Sequence, residues 1–193
     1  MKKSLLIGLG VVAAFFFIVI SWFISVNNTL INLDEGVKAK WSQVENVYQR
    51  RADLIPNLVN TVKGYAKHEE SVLEEVTRAR SQVGQVKLGN PDDLQKFDQA
   101  QGQLTGALSR LLVVAEKYPD LKANQNFLEL QSQLEGTENR ITVERMRFNE
   151  AAQEFNMYVR KFPQVIVAGM RGFHEHPYFT AAPGASTVPE VKF

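Results

Sequence analysis

Hydrophobic residues divide the chain into an apolar N-terminal run, a long stretch of helical periodicity and an aromatic C-terminal segment. The N-terminal run, residues 5–26, holds 22 consecutive residues without a charged side chain. As a helix it would measure about 33 Å, at about 1.5 Å per residue, and would cross a hydrocarbon layer of about 30 Å. The sequence therefore predicts a transmembrane anchor over residues 5–26, preceded by a cytoplasmic N-terminus of residues 1–4.

A cleaved signal peptide is the alternative interpretation of this run. The apolar region of a signal peptide is about 7–15 residues long and ends in a cleavage site of small residues. This run is longer, and bulky Trp22 and Phe23 lie near its end, which favours an uncleaved signal-anchor.

The charges beside the run predict its orientation. Lys2 and Lys3 precede it, and the first charges after it are Asp34 and Glu35. Positive residues remain on the cytoplasmic side of a membrane. We therefore expect a single-pass protein of the inner (cytoplasmic) membrane, with its helical domain on the outer, periplasmic side.

Residues 30–162 show apolar positions at intervals of three and four, the period of an α-helix. The last helix carries an apolar residue every seven positions: Phe127, Leu134, Ile141, Phe148, Phe155 and Phe162. Such a repeat predicts a long helix in coiled-coil packing. Proline and glycine positions set the ends, and the predicted helices cover residues 30–66, 70–88, 91–118 and 120–162.

These helix lengths predict an all-α fold. A transmembrane helix is followed by an antiparallel four-helix bundle over residues 27–162, in which helices 1 and 4 are long. An irregular, apolar and aromatic C-terminal tail covers residues 163–193. Pro56 predicts a bend in helix 1, and a turn is expected between Ala66 and Ser71.

Pairing the ends of the two long helices predicts a polar network. If residues 30 and 162 are level, facing residues have numbers that add to about 192. This register brings six polar residues together: Arg50, Arg51, Asp53, Asn139, Arg140 and Glu144. Arg51 and Glu144 fall on or beside apolar lines, where a charge is tolerated only if it is paired. We expect a structural, hydrogen-bonded ion network.

Composition excludes several kinds of function. The chain has 22 basic and 21 acidic residues, which is not the clustered basic excess of a nucleic-acid surface. It has no cysteine, so a disulfide, a thiolate metal site and a cysteine nucleophile are all excluded. His68-Glu69-Glu70 lacks the second histidine of a zinc-protease helix. His174-Glu175-His176 offers three ligands where structural zinc usually has four. We expect no enzyme, no metal and no cofactor.

Several separate stretches resemble one family. They are residues 41–44 (WSQV), 49–59 (QRRADLIPNLV), 118–124 (YPDLKAN), 138–141 (ENRI) and, in the tail, Phe162-Pro163, Gly172-Phe173, Tyr178-Phe179 and 189–193 (PEVKF). Together they resemble the LemA family of bacterial membrane proteins over nearly the whole chain. The resemblance implies one N-terminal span, an antiparallel helical bundle and no agreed enzymatic activity. It also implies that some relatives are associated with building or remodelling internal membranes.

The tail is too apolar for a free linker. Its candidates for contact with lipid or with a neighbouring subunit are Val165, Ile166, Val167, Phe173, Tyr178, Phe179 and Phe193. The tail can pack on its own two-helix stalk (the membrane-proximal part of helices 1 and 4), rest in the lipid interface or dock on another subunit. The sequence does not distinguish between these three placements.

Two functions fit these expectations, and an enzyme has the least support. The first is a non-enzymatic scaffold that forms a homo-oligomer at the surface of the lipid bilayer and acts in membrane organisation or remodelling. The alternative is an adaptor that presents the bundle tip, residues 67–70 and 118–124, to another membrane or envelope protein.

Overall fold

The computed structural model describes the backbone of residues 2–86 and 91–180 and the side chains of residues 6–86 and 93–180. These residues form six helices and no strand, which confirms the all-α prediction. The helices are α1 (Lys2–Tyr65), α2 (Glu70–Gln85), α3 (Pro91–Ala115), α4 (Pro119–Lys122), α5 (Gln125–Arg160) and α6 (Gln164–Arg171).

Helix α1 joins the predicted anchor and the predicted first bundle helix without interruption. Its first part is long and apolar enough to cross a membrane. The large apolar side chains exposed between Leu6 and Ile24 show 36–72% of their surface. Pro56 lies inside the helix and does not end it. The helix ends at Tyr65, and α2 begins at Glu70, so the turn falls in the expected place.

The predicted single helix over residues 120–162 is wrong at both ends. The short α4 precedes α5, and Asn124 lies between them. Asn124 caps α5, because its Oδ1 accepts a hydrogen bond from the backbone N–H of Phe127 at 3.0 Å. At the other end α5 stops at Arg160, so Phe162, the last residue of the seven-residue repeat, is 81% exposed.

The tail is not irregular at its start, because residues 164–171 form α6. Val167 and Ala168 are buried on this helix. It ends at Gly172, whose φ of 75° is a left-handed conformation that glycine adopts without steric cost. The backbone N–H of Phe173 then donates to the carbonyl of Ala168 at 3.0 Å, which closes the last turn.

Helices α2 and α3 end earlier than predicted. The prediction placed these ends at residues 88 and 118, whereas α2 ends at Gln85 and α3 at Ala115. Tyr118 has an extended backbone (φ −116°, ψ 91°), because the following Pro119 disfavours the helical conformation. Residues 87–90, which include the predicted end of the second helix at residue 88, lie outside the described residues.

The chain divides into two compact units. We call them the span unit (Met1–Ser42 and Arg147–His176) and the core unit (Gln43–Met146 and Pro177–Phe193). In the core unit, α1 to α5 all contribute to one hydrophobic core. Its buried residues are Ile55, Leu58, Val62, Ala66, Leu73, Val76, Ala79, Leu104, Ala107, Leu108, Leu111, Ala115, Leu121 and Phe127.

The span unit buries residues of α1, α5 and α6. They are Val26, Leu30, Val37, Phe148, Ala152, Phe155, Asn156, Val159, Val167 and Ala168. The ring of Trp41 packs edge-to-face on Phe148, with 5.4 Å between the ring centroids. The repeat of α5 is therefore core packing in this unit.

Candidate functional site

A buried arginine links three helices of the core unit. Arg51 of α1 is 4% exposed although it carries a charge. Its Nη1 lies 3.0 Å from Glu138 Oε2 of α5. Its Nη2 donates to Thr105 Oγ1 of α3 at 2.8 Å, and that hydroxyl donates to the carbonyl of Gln101 at 3.0 Å. These contacts compensate the desolvated guanidinium and fix the packing of the three helices.

The six residues of the predicted network have different surroundings. Arg51 is the buried member, and the structure gives it the carboxylate of Glu138, which the prediction did not include. The exposed members are Arg50, Asp53, Asn139 and Arg140, and Asp53 Oδ1 accepts a hydrogen bond from Gln49 at 2.8 Å. Glu144 is half-buried. The pair Arg51–Glu138 lies about one helical turn away from the predicted register.

Asn156 holds the tail in the span unit. It is fully buried, and its amide makes two hydrogen bonds to the backbone of one tail residue. Its Nδ2 donates to the carbonyl of His176, and its Oδ1 accepts from the N–H of His176, both at 2.8 Å. We call this contact the Asn156 clamp. Beside it, the ring centroid of Phe155 lies 4.8 Å from the ring centroid of His176 and 6.1 Å from that of Phe173.

The His176 ring extends the clamp to α1. Its Nε2 lies 2.9 Å from Asp34 Oδ1, and Lys38 Nζ lies 2.8 Å from the other carboxylate oxygen of Asp34. Burial opposes ionisation of Asp34, but the hydrogen bonds from Lys38 and His176 outweigh it and lower the pKa of Asp34. Lys38 donates to the carboxylates of Asp34 and Glu35, and these hydrogen bonds raise the pKa of Lys38. Asp34 is thus an anion at neutral pH.

Arg145 holds the next part of the tail in the core unit. Its guanidinium lies over the ring of Phe179, 4.4 Å from the centroid, in a cation–π contact. Its Nη2 donates to the carbonyl of Thr180 at 3.1 Å and lies 3.0 Å from Asp98 Oδ1. Helical spacing does not reveal the roles of Arg145, Asp98, Asn156 and Asp34, because each depends on a contact with the tail or with α3.

The tail candidates for lipid or subunit contact divide by exposure. Val167 and Phe179 are buried within the chain itself, and Phe173 is half-buried. Val165 and Ile166 are 43% and 53% exposed. Tyr178 is also exposed, and Phe193 lies outside the described residues. Of the three possible placements of the tail, packing on the chain's own helices is therefore observed for parts of residues 173–180.

Three members of the two histidine clusters, Glu69, Glu175 and His176, make polar contacts within the chain. In the core unit, Glu69 Oε1 accepts a hydrogen bond from Tyr118 Oη at 3.2 Å, and His68 is exposed. In the span unit, Glu175 lies 3.8 Å from Arg160, while His176 is held by the Asn156 clamp. Among the described side chains of residues 6–86 and 93–180, no three His, Asp or Glu come together as metal ligands would.

Two turns of the core unit are joined by hydrogen bonds. The first connects α1 to α2, and the second surrounds α4. Besides the bond from Tyr118 to Glu69, Asn124 Nδ2 donates to Tyr65 Oη at 2.9 Å. These residues belong to the stretches 67–70 and 118–124, or border on them, and that pair of stretches was predicted to form the bundle tip.

Comparison with known proteins matches residues 40–193 to the LemA family. The chain is 28% identical over 181 residues to magnetosome protein MamQ 2 of Paramagnetospirillum magneticum, covering 83% of this chain and 66% of that protein. It is 26% identical to MamQ of Magnetospirillum gryphiswaldense, with the same coverage. It is 24% identical over 140 residues to protein LemA of Metamycoplasma hominis, covering 72% and 62%. The matches thus span about two thirds of these relatives, and none of the names denotes an enzyme.

Proposed function

We propose that this chain, which belongs to the LemA family, is a membrane-anchored, non-enzymatic scaffold that associates with copies of itself at the membrane surface. The anchor is the apolar first part of α1. The proposed setting is the inner membrane, with the N-terminus in the cytoplasm and the other helices on the periplasmic side. The lipid bilayer and further copies of the chain are its proposed partners, and membrane organisation is its proposed role.

An antiparallel arrangement of α1, α2, α3 and α5 is part of this proposal. In the span unit, Trp41 meets Phe148, whereas the earlier Asp34 meets the later Asn156 through His176. In the core unit, Arg51 meets Glu138, whereas the later Tyr65 meets the earlier Asn124. In each unit, rising residue numbers along α1 pair with falling residue numbers along the facing segment. This supports a four-helix bundle with α1 and α5 antiparallel.

An exposed apolar stripe on α5 is the observation that carries self-association. In the core unit, Leu128, Val143 and Met146 are 43%, 39% and 54% exposed. At 3.6 residues per turn they lie within about 60° of one another around the helix axis. Val143 and Met146 are neighbours one turn apart, and Leu128 lies on the same face about four turns away. Exposed apolar side chains on one face of a helix are candidates for contact with another helix. We name these three residues the α5 stripe and assign it to contact with a second copy.

Disulfide crosslinking tests the proposal, because the chain has no cysteine of its own. We expect Met146→Cys to give a disulfide-linked dimer on mild oxidation in membranes. Asn126→Cys is the matched control: it is also exposed on α5 but lies about 160° around the helix from Met146 and about 100° from Val143. A monomer for both variants at every protein density, in membranes and in mild detergent, would count against a self-associating scaffold.

The alternative function is an adaptor that binds another membrane or envelope protein through the bundle tip. The hydrogen bonds from Tyr118 to Glu69 and from Asn124 to Tyr65 favour it, since they order the two turns that form this surface. Lys67 is exposed there. For an adaptor, Lys67→Glu should abolish partner capture while the Met146→Cys crosslink is retained. If Lys67→Glu removed the Met146→Cys crosslink and left partner capture unchanged, the scaffold would be favoured.

A further inference from the structure

Helix α6 has one buried face and one exposed apolar face. Val167 and Ala168 are each 1% exposed, whereas Val165, Ile166 and Met170 are 43%, 53% and 72% exposed. At 3.6 residues per turn, the three exposed residues lie within an arc of about 140°. We call them the α6 face. The helix is thus held to the span unit by one side and presents apolar surface on the other.

The contacts of the span unit indicate the level along α1 at which α6 begins. Trp41 packs on Phe148, and His176 joins Asp34 to Asn156, so facing residues have numbers that add to about 190. Continued at the same rise per residue, this register puts the end of α5 and Phe162 beside residues 27–29 of α1. The apolar run of α1 ends at Val26. Helix α6 therefore begins at the level where the apolar run ends.

We propose that the α6 face and Phe162 lie in the membrane–water interface and form a second lipid contact of the chain. This inference rests on the proposed membrane anchor. Phe162 is 81% exposed directly before α6, and an aromatic ring at this level adds to the apolar surface. An exposed apolar helix face at this level can be buried at the boundary between headgroups and acyl chains.

Two features select phospholipid as the occupant. First, the α6 face begins at the level where the exposed apolar run of α1 ends, so one bilayer covers both surfaces. Second, Lys161 and Arg171 are exposed just before α6 and at its last residue. Their long side chains reach headgroups from helix ends, and their charges attract anionic lipids.

Nitroxide labels on the full chain test this contact. The protein is placed in nanodiscs of phosphatidylethanolamine and phosphatidylglycerol, one chain per disc. Because the chain has no cysteine, Met170→Cys carries a single label, and Met170 is exposed enough for its replacement to leave the core intact. Met146→Cys is the matched control from the core unit, and Phe17→Cys reports on the proposed anchor. Collisions with oxygen report lipid, and collisions with a water-soluble nickel complex report water.

We expect the Met170 label to collide with oxygen and to be protected from nickel, as the Phe17 label is, while the Met146 label collides with nickel. Equal nickel collision at Met170 and Met146, with Phe17 protected, would overturn the inference and leave the anchor standing. Nickel collision at Phe17 would refute the anchor itself. Protection of Met170 only in discs that hold two chains would assign the α6 face to a second copy and also overturn the inference.

Discussion

Replacing Glu138 is expected to destabilise the protein more than replacing Arg51, although Glu138 is the more exposed partner. The Arg51 side chain is 5% exposed and that of Glu138 is 49% exposed. Glu138→Gln leaves the buried guanidinium without its opposite charge. Arg51→Met removes the buried charge itself, and the half-exposed carboxylate of Glu138 returns to water. Thr105 then keeps its hydrogen bond to the carbonyl of Gln101.

The magnitudes follow from the burial of each partner. Removing one partner of a fully buried ion pair costs about 3–5 kcal/mol, and one hydrogen bond to a charged group contributes about 1.5–3 kcal/mol. Because water reaches one side of this pair, we expect Glu138→Gln to cost about 2 kcal/mol and Arg51→Met less than about 1 kcal/mol. If the free energy of unfolding falls by about 2 kcal/mol per M urea, the unfolding midpoint falls by about 1 M for Glu138→Gln and by less than about 0.5 M for Arg51→Met.

Urea unfolding of the full chain in detergent micelles, followed by far-ultraviolet circular dichroism, measures both variants. Arg50→Met is the control, because Arg50 is an exposed arginine beside Arg51. It should shift the midpoint very little. If Arg51→Met lowered the midpoint as much as Glu138→Gln, the ordering derived from the burial of the charge would be refuted.

Three further changes test the span unit and the tail. Asn156→Ala removes the clamp, so limited proteolysis should cut the tail faster, and an unchanged cleavage rate would contradict the clamp. Hydrogen bonds lower the pKa of Asp34 from its usual 3.8. The stabilising contribution of Asp34 is therefore complete above pH 3.8 and is lost as the pH falls through the lower folded-state pKa. The side-chain amide resonance of Asn156 should shift over that pH range. Phe148→Ala removes the ring that packs on Trp41 and should cost about 3–5 kcal/mol in urea unfolding followed by tryptophan fluorescence. Met146→Ala, at a 54% exposed site, should cost less than about 0.5 kcal/mol.

The helical periodicity was sufficient to predict the elements that bury a regular apolar face. The repeat on α5 identified Phe127, Ile141, Phe148 and Phe155, all of which are 0–4% exposed. The apolar N-terminal helix and the turn near Ala66 follow from length and from local sequence signals in the same way. These features depend on residues close together in sequence, which a pattern can report.

The errors occur where a single residue or a distant contact decides the structure. The break between α4 and α5 depends on one capping side chain, Asn124, within an otherwise helical pattern. Phe162 matched the seven-residue repeat, but α5 had already ended at Arg160. The partner of Arg51 depends on the register between two helices, and a shift of one turn would place another residue of α5 beside it. Spacing within a helix does not fix that register.

The continuity of α1 has a mechanical consequence for the tail. The helix runs from the apolar run through Val26 and Leu30 to Asp34 without a flexible joint. A spanning helix that is longer than the local hydrocarbon layer adapts by tilting. With the proposed anchor in place, a thinner bilayer tilts α1, and Asp34, which lies 2.9 Å from the His176 ring, tilts with it. The angle of this part of the tail to the membrane is then coupled to bilayer thickness, because His176 and the first part of α1 belong to the same compact unit.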